Sequence, residues 1–177
     1  DFQCTPHKDH WVGGFMGVFW ASYINAPLDK SIYFLQAGSS IEAPQWLQYC
    51  TQRHGLNSTV FGAEDDLGLS GPESTTNLFI SASPLRFARP FYYGRFRDHV
   101  LIYLFEAGEG GRIRISHSPS GGGKTPAEDD TNPAWDAQLI VPDPKVGTSY
   151  GMRARLIVKP WEGREDVLKH ARAFYGE

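Results

Sequence analysis

Eleven of the seventeen basic side chains in this 177-residue sequence are arginines, and they cluster. Arg86, Arg89, Arg95 and Arg97 surround Phe91, Tyr92 and Tyr93. Arg112 and Arg114 alternate with Ile113 and Ile115, and Arg153 and Arg155 alternate with Met152, Ala154 and Leu156. Guanidinium is planar and presents paired donors that match carboxylate, sulfate or phosphate. Five tryptophans and eight tyrosines add flat apolar faces on which a pyranose ring can stack. Together these residue types point to a groove for an anionic ligand such as an acidic sugar. They also admit a plainer reading, in which the arginines pair with the twenty Asp and Glu side chains across strands and the rings fill the core.

Proton transfer needs a group that titrates near neutrality, and histidine has an ordinary pKa of about 6.5. His54 lies in "TQRHGLNST", between Arg53 and a glycine turn. His117 follows the Ile113–Ile115 strand, and His10 precedes a long aromatic stretch. In an enzyme, His54 or His117 takes or gives the proton, His10 is a further candidate, and Tyr23 assists. Arg53, Arg95, Arg97 and Arg153 then hold a carboxylate and stabilise developing negative charge. Trp20 and Trp135 stack the ring, with Asn25 at the same strand end as Trp20. That scheme is a lyase or an epimerase, both of which remove a proton from carbon. In a binding module the same arginines and tryptophans act without a base. Trp135, at a loop-to-strand junction after "TNPA", is expected to be partly exposed.

Other chemistries find no pattern. There is no GxSxG elbow. Gly121 to Thr125, "GGGKT", lacks phosphate-loop spacing. Asp65 and Asp66 do not make a calcium-hand pattern. His7 and His10 fall on opposite faces of an extended segment, and Cys4 and Cys50 form no zinc-site cluster. Neither metal nor cofactor is called for. The two cysteines are either one disulfide or two thiols.

The elements that must carry these side chains are mostly strands. Segments 11–25, 31–36, 58–62, 77–82, 90–94, 98–106, 111–117, 134–141 and 148–159 are rich in β-branched and aromatic residues and bounded by turn residues. Such a series predicts a single-domain antiparallel β-sandwich over 1–177 rather than a βαβ fold. Alternation places Arg112 and Arg114 on the free face of one half-buried strand, and Arg153, Arg155 and Lys159 on the free face of another. If those strands are neighbours, four guanidinium groups share a face. "HVLIYLFE" is apolar on both faces, so it is a central strand covered on both sides. At the end the period changes: Val167, Leu168, Ala171, Phe174 and Tyr175 form one stripe of a helix over 164–175, with Glu165 and Asp166 in its first turn. This helix lies on the outside of the sandwich, or pairs two copies of the chain. Residues 118–133 read as a long Gly/Pro/Asp-rich connection.

The stretch "NPAWDAQLIVPDPKVGTSYGMRARLIVKP" resembles the closing strands of the galactose mutarotase-like β-sandwich (jelly-roll-type) group: a turn at Pro142 to Gly147, then Tyr150, then the apolar strand Arg155 to Val158. "HWVGGFMGVFWASYINAP" is similar to that group's early strand, with His10, Tyr23 and Asn25 as the matching types. The likeness covers about half the chain. Mutarotase-like domains are generally larger, and the epimerases' glutamate base has no clear counterpart; Glu106 and Asp136 are the acidic residues considered in its place. The resemblance implies carbohydrate contact on a concave sheet face.

The net charge of −3 argues against nucleic acid as a partner. No run approaches the ~20 apolar residues of a membrane helix. The opening residues show no signal-peptide pattern, which fits a cytoplasmic protein or a secreted one after signal removal.

Overall fold

The computed structural model describes residues 1–11, 13–52, 55–69, 81–121, 125 and 130–177. The chain runs through β1 (Phe2–Cys4), β2 (Phe15–Trp20), β3 (Ile32–Leu35), β4 (Trp46–Tyr49), β5 (Thr59–Gly62), β6 (Ala82–Phe87), β7 (Phe91–Phe96), β8 (His99–Ala107), β9 (Arg112–Ser118), β10 (Ala134–Pro142), β11 (Tyr150–Pro160) and the helix α1 (Arg164–Tyr175). Six strands form one sheet in the order β1-β11-β8-β7-β3-β4, and five form a second in the order β2-β10-β9-β5-β6. The fold is an all-β sandwich with a C-terminal helix. Pairing is antiparallel except at one edge, where β5 and β6 run parallel.

Two apolar clusters hold these layers together. Between the sheets lie Phe34, Tyr92, Tyr103, Phe105, Ile115, Trp135 and Leu139. Outside the six-stranded sheet, Val167, Leu168, Ala171 and Phe174 of α1 pack on Leu35, Phe91, Tyr93, Val100, Ile102 and Leu104. β8 therefore has an apolar partner on each face, as its run of apolar residues requires. The helix has the expected bounds. Its apolar stripe is buried, and it ends at Gly176, whose left-handed φ of 77° lets its N–H return to the Arg172 carbonyl.

Several expectations are corrected. The four-arginine face does not exist: β9 belongs to the five-stranded sheet and β11 to the six-stranded one. Neither arginine face is left free along its length. Arg114 is fully buried against Asp65, and α1 covers part of the β11 face. The early aromatic strand is shorter than 11–25, because the chain turns at Gly13 and Gly14, both at positive φ, and leaves the sheet after Trp20. The strand expected at 77–82 falls largely outside the described residues, and β6 begins at Ala82. Cys4 and Cys50 are free thiols.

Candidate functional site

β9 and β10 set Trp135 opposite His117. Both side chains point inward and converge on one acceptor. The Lys30 carbonyl receives the Trp135 Nε1–H at 2.8 Å and the His117 Nε2–H at 2.8 Å. On the other side of the imidazole, the Thr51 N–H donates to Nδ1 at 3.2 Å and the Thr51 hydroxyl lies 2.9 Å from it. Burial drives the His117 pKa down to about 4, against the hydrogen bond to the Lys30 carbonyl, which favours the charged ring. The imidazole is therefore neutral at pH 7, with both nitrogens occupied. Trp135, expected to be partly exposed, has no exposed surface. The Lys30 ammonium donates to the Pro119 carbonyl at 3.0 Å and to the Asp130 carbonyl, pinning both ends of the long connection.

The remaining candidates are dispersed. Tyr23 is 57% exposed and touches the sheet through a backbone bridge to Ala134. Asn25 and His10 are exposed. Trp20 lies edge-on to Phe105 and donates to the Ser22 hydroxyl at 3.1 Å. Arg153 pairs with Glu106 at 2.8 Å and donates to the Phe174 carbonyl at 2.8 Å. Arg97 is exposed in the β7–β8 turn. Arg53 and His54 lie outside the described residues. Asp136, considered from the sequence as a stand-in for the epimerases' glutamate base, is a buried carboxylate of β10. Burial raises its pKa to about 7, although it accepts the Ser22 N–H at 2.7 Å.

Arg95 stands in different company. On the outer face of the six-stranded sheet, β3 and β7 set Tyr33 directly opposite Tyr93, and their rings stack at 5.0 Å and 13°. Tyr93 in turn stacks on Trp161 at 5.3 Å and meets the edge of Trp46 at 5.2 Å. Arg95, two residues beyond Tyr93 and so on the same face, lies over the Trp161 ring at 4.5 Å. At the other end Arg164, the first residue of α1, lies 5.6 Å from both the Tyr33 and Trp46 rings and donates to the Tyr93 hydroxyl at 3.0 Å. Tyr33, Trp46, Trp161 and Arg95 are half-buried, and Arg164 is exposed. The result is a row of rings with a cation at each end.

Asp29 borders this row. It accepts the Tyr33 hydroxyl at 2.6 Å and the Ser31 N–H at 2.9 Å. Burial pushes its carboxyl up, but the bonds from Tyr33 and Ser31 and the Arg95 charge outweigh burial and leave its pKa below the ordinary value. Burial, then the bond to Asp29, raises the Tyr33 phenol. Arg95 Nε is buried with no hydrogen-bond partner among the described residues. Among those residues no three His, Cys, Asp or Glu side chains gather as metal ligands. Scans against protein-family models, curated proteins and solved structures each returned no match.

The sequence placed Arg95 beside aromatic residues but could not find its true neighbours. Tyr33, Trp46 and the Trp161–Arg164 junction come from three separate segments.

Proposed function

We propose that this protein is a carbohydrate-binding β-sandwich that takes an acidic sugar residue at the Arg95–Trp161–Arg164 row and does not turn it over. The observation that carries this reading is the half-buried Arg95 side chain, its guanidinium stacked on the Trp161 indole. A guanidinium held over a ring offers its exposed donors to a carboxylate or sulfate. The rings beside it offer the apolar face that a pyranose needs. The mutarotase-like resemblance points to the same ligand class by a different route.

Among the described residues the candidate bases are already occupied, which favours binding over turnover. Asp29 is ionised but occupied by two donors, the Tyr33 proton is held by that carboxylate, and His117 is occupied on both nitrogens. A lyase or epimerase would need a free base beside the sugar carbon.

The test is a glycan array of neutral against acidic glycans at low and high salt, repeated with Arg95→Ala and Arg164→Ala. Acidic glycans are expected to be retained at low salt and released as salt rises, because screening weakens charge-led contacts most. Arg95→Ala should abolish retention while the protein stays folded by circular dichroism. Retention of no acidic glycan, or retention unchanged in Arg95→Ala, refutes the reading.

A further inference from the structure

Beyond Met152, one edge of β11 in the six-stranded sheet has no partner strand among the described residues. β8 pairs with one side of β11 from Met152 to Pro160, whereas β1 covers only Tyr150 to Met152 on the other. The Gly151 carbonyl accepts from Gly108, and the Trp161 N–H donates to the Asp98 carbonyl. Odd-numbered residues of β11 thus aim their backbone groups at β8. By strand alternation Ala154, Leu156 and Val158 aim theirs at the open edge. The side chains of those same residues lie on the inner face, beyond the cover of the five-stranded sheet: Leu156 is 44% exposed and Val158 60%. An open edge bearing exposed apolar side chains is a template for another strand.

We propose that the occupant is a second copy of this chain, β11 against β11, antiparallel about a two-fold axis through Ile157. In this register the hydrogen-bonded pairs centre on Leu156 and Val158. Leu156 faces the second copy's Val158, and each aims its N–H and C=O at the other. Both exposed apolar side chains are thereby covered twice over on the inner face, while Ile157 meets its own copy on the outer face. Ala154 donates to the Pro160 carbonyl, and because Pro160 has no N–H the Ala154 carbonyl at each end is left to water. The ladder ends there, just before β1 takes the edge.

Other registers fit less well. A slip of two residues towards β1 drives Pro160 against Met152, which already pairs with Phe2. A slip of two the other way loses the Ala154 pair. A slip of one sets backbone groups aimed at the edge opposite groups aimed at β8.

Charge agrees with the chosen register. Arg155 falls opposite Lys159, but Lys159 is bracketed by Glu162 at 3.0 Å and Asp166 at 2.8 Å. Arg155 therefore meets a cluster whose net charge is negative. Joined in this way, the two six-stranded sheets become one continuous sheet.

Light scattering and sedimentation of the full chain test this over protein concentrations of about 1 to 100 µM, the range suited to a small interface. A monomer–dimer equilibrium is expected. Leu156→Lys combined with Val158→Lys should leave a monomer throughout, with little change in melting temperature because both positions are exposed. Arg155→Glu should weaken dimerisation about tenfold at low salt and less at high salt. Amide exchange supplies a readout on the unaltered chain: the Ala154, Leu156 and Val158 N–H groups should slow as concentration rises. A monomer at every concentration, a dimer untouched by the double substitution, or exchange at these amides independent of concentration overturns the proposal.

Discussion

The indole of Trp135 occupies the space that a side chain on Gly94 would need. A Cβ at Gly94 would stand 2.3 Å from the ring, well inside contact distance. The backbone of β7 is thus the floor on which the buried tryptophan lies, and its Nε1–H is already committed to Lys30. Overpacking of this kind costs about 1–3 kcal/mol. Gly94→Ala is expected to lower stability by that amount in urea unfolding. Unchanged stability would mean that Trp135 can shift without loss.

Arg114 and Asp65 form a buried pair, with Nε to Oδ2 at 2.7 Å and Nη2 to Oδ1 at 3.0 Å. The guanidinium also lies 3.6 Å from the Phe61 ring centroid. Removing one partner leaves a charge buried without its counter-ion, at a cost of about 3–5 kcal/mol. Asp65→Ala should destabilise by that much. Asp65→Leu combined with Arg114→Met should destabilise less than Asp65→Ala alone, as read by a denaturant series.

Asp136 and His117 make opposing contributions to pH dependence. Folding raises the Asp136 carboxyl from 3.8 to about 7, so its contribution is greatest at low pH and is lost as pH rises through that window. Folding lowers His117 from 6.5 to about 4, so its contribution is complete above 6.5 and is lost as pH falls towards 4. At about 1.4 kcal/mol per pKa unit, these effects are about 4 and about 3 kcal/mol, and they largely cancel between pH 4 and 6.5. The parent protein should show a shallow stability profile there. Asp136→Asn should uncover a loss of stability on acidification, and His117→Gln a loss on going alkaline. Melts of all three proteins across this range check both signs.

Arg164 joins helix to sheet through the Tyr93 hydroxyl. A hydrogen bond to a charged donor contributes about 1.5–3 kcal/mol, less where the donor is exposed. Arg164→Ala and Tyr93→Phe should each destabilise by about 1 kcal/mol, and the two together by little more than either alone. A fully additive double mutant would show that the bond contributes nothing.

Local patterns were the most legible part of this chain. The five residues that repeat on a helical period between Val167 and Tyr175 mark α1, because a helix writes its buried face at short spacing. β8 declares its central place by being apolar on both faces. Alternation in β9 separates Ile113 and Ile115 from Arg112 and Arg114 correctly, yet it misleads about what covers the arginines. Asp65 lies 49 residues from Arg114, and no short-range rule links them.

The candidate site shows the same division. Arg95 and Tyr93 are two apart on one strand, so their shared face follows from alternation alone. That Tyr33, Trp46, Trp161 and Arg164 complete the row follows from the order of strands in a sheet and from the docking of α1. Sequence by itself determined the β-rich class, the closing helix and the alternating faces, since these depend on neighbours a few residues apart. Only the tertiary structure decided that β9 and β11 lie in different sheets, that Trp135 is buried and that Arg95 meets Trp161. Each of those depends on which distant surfaces exclude water from one another, and that is a property of the whole packed chain.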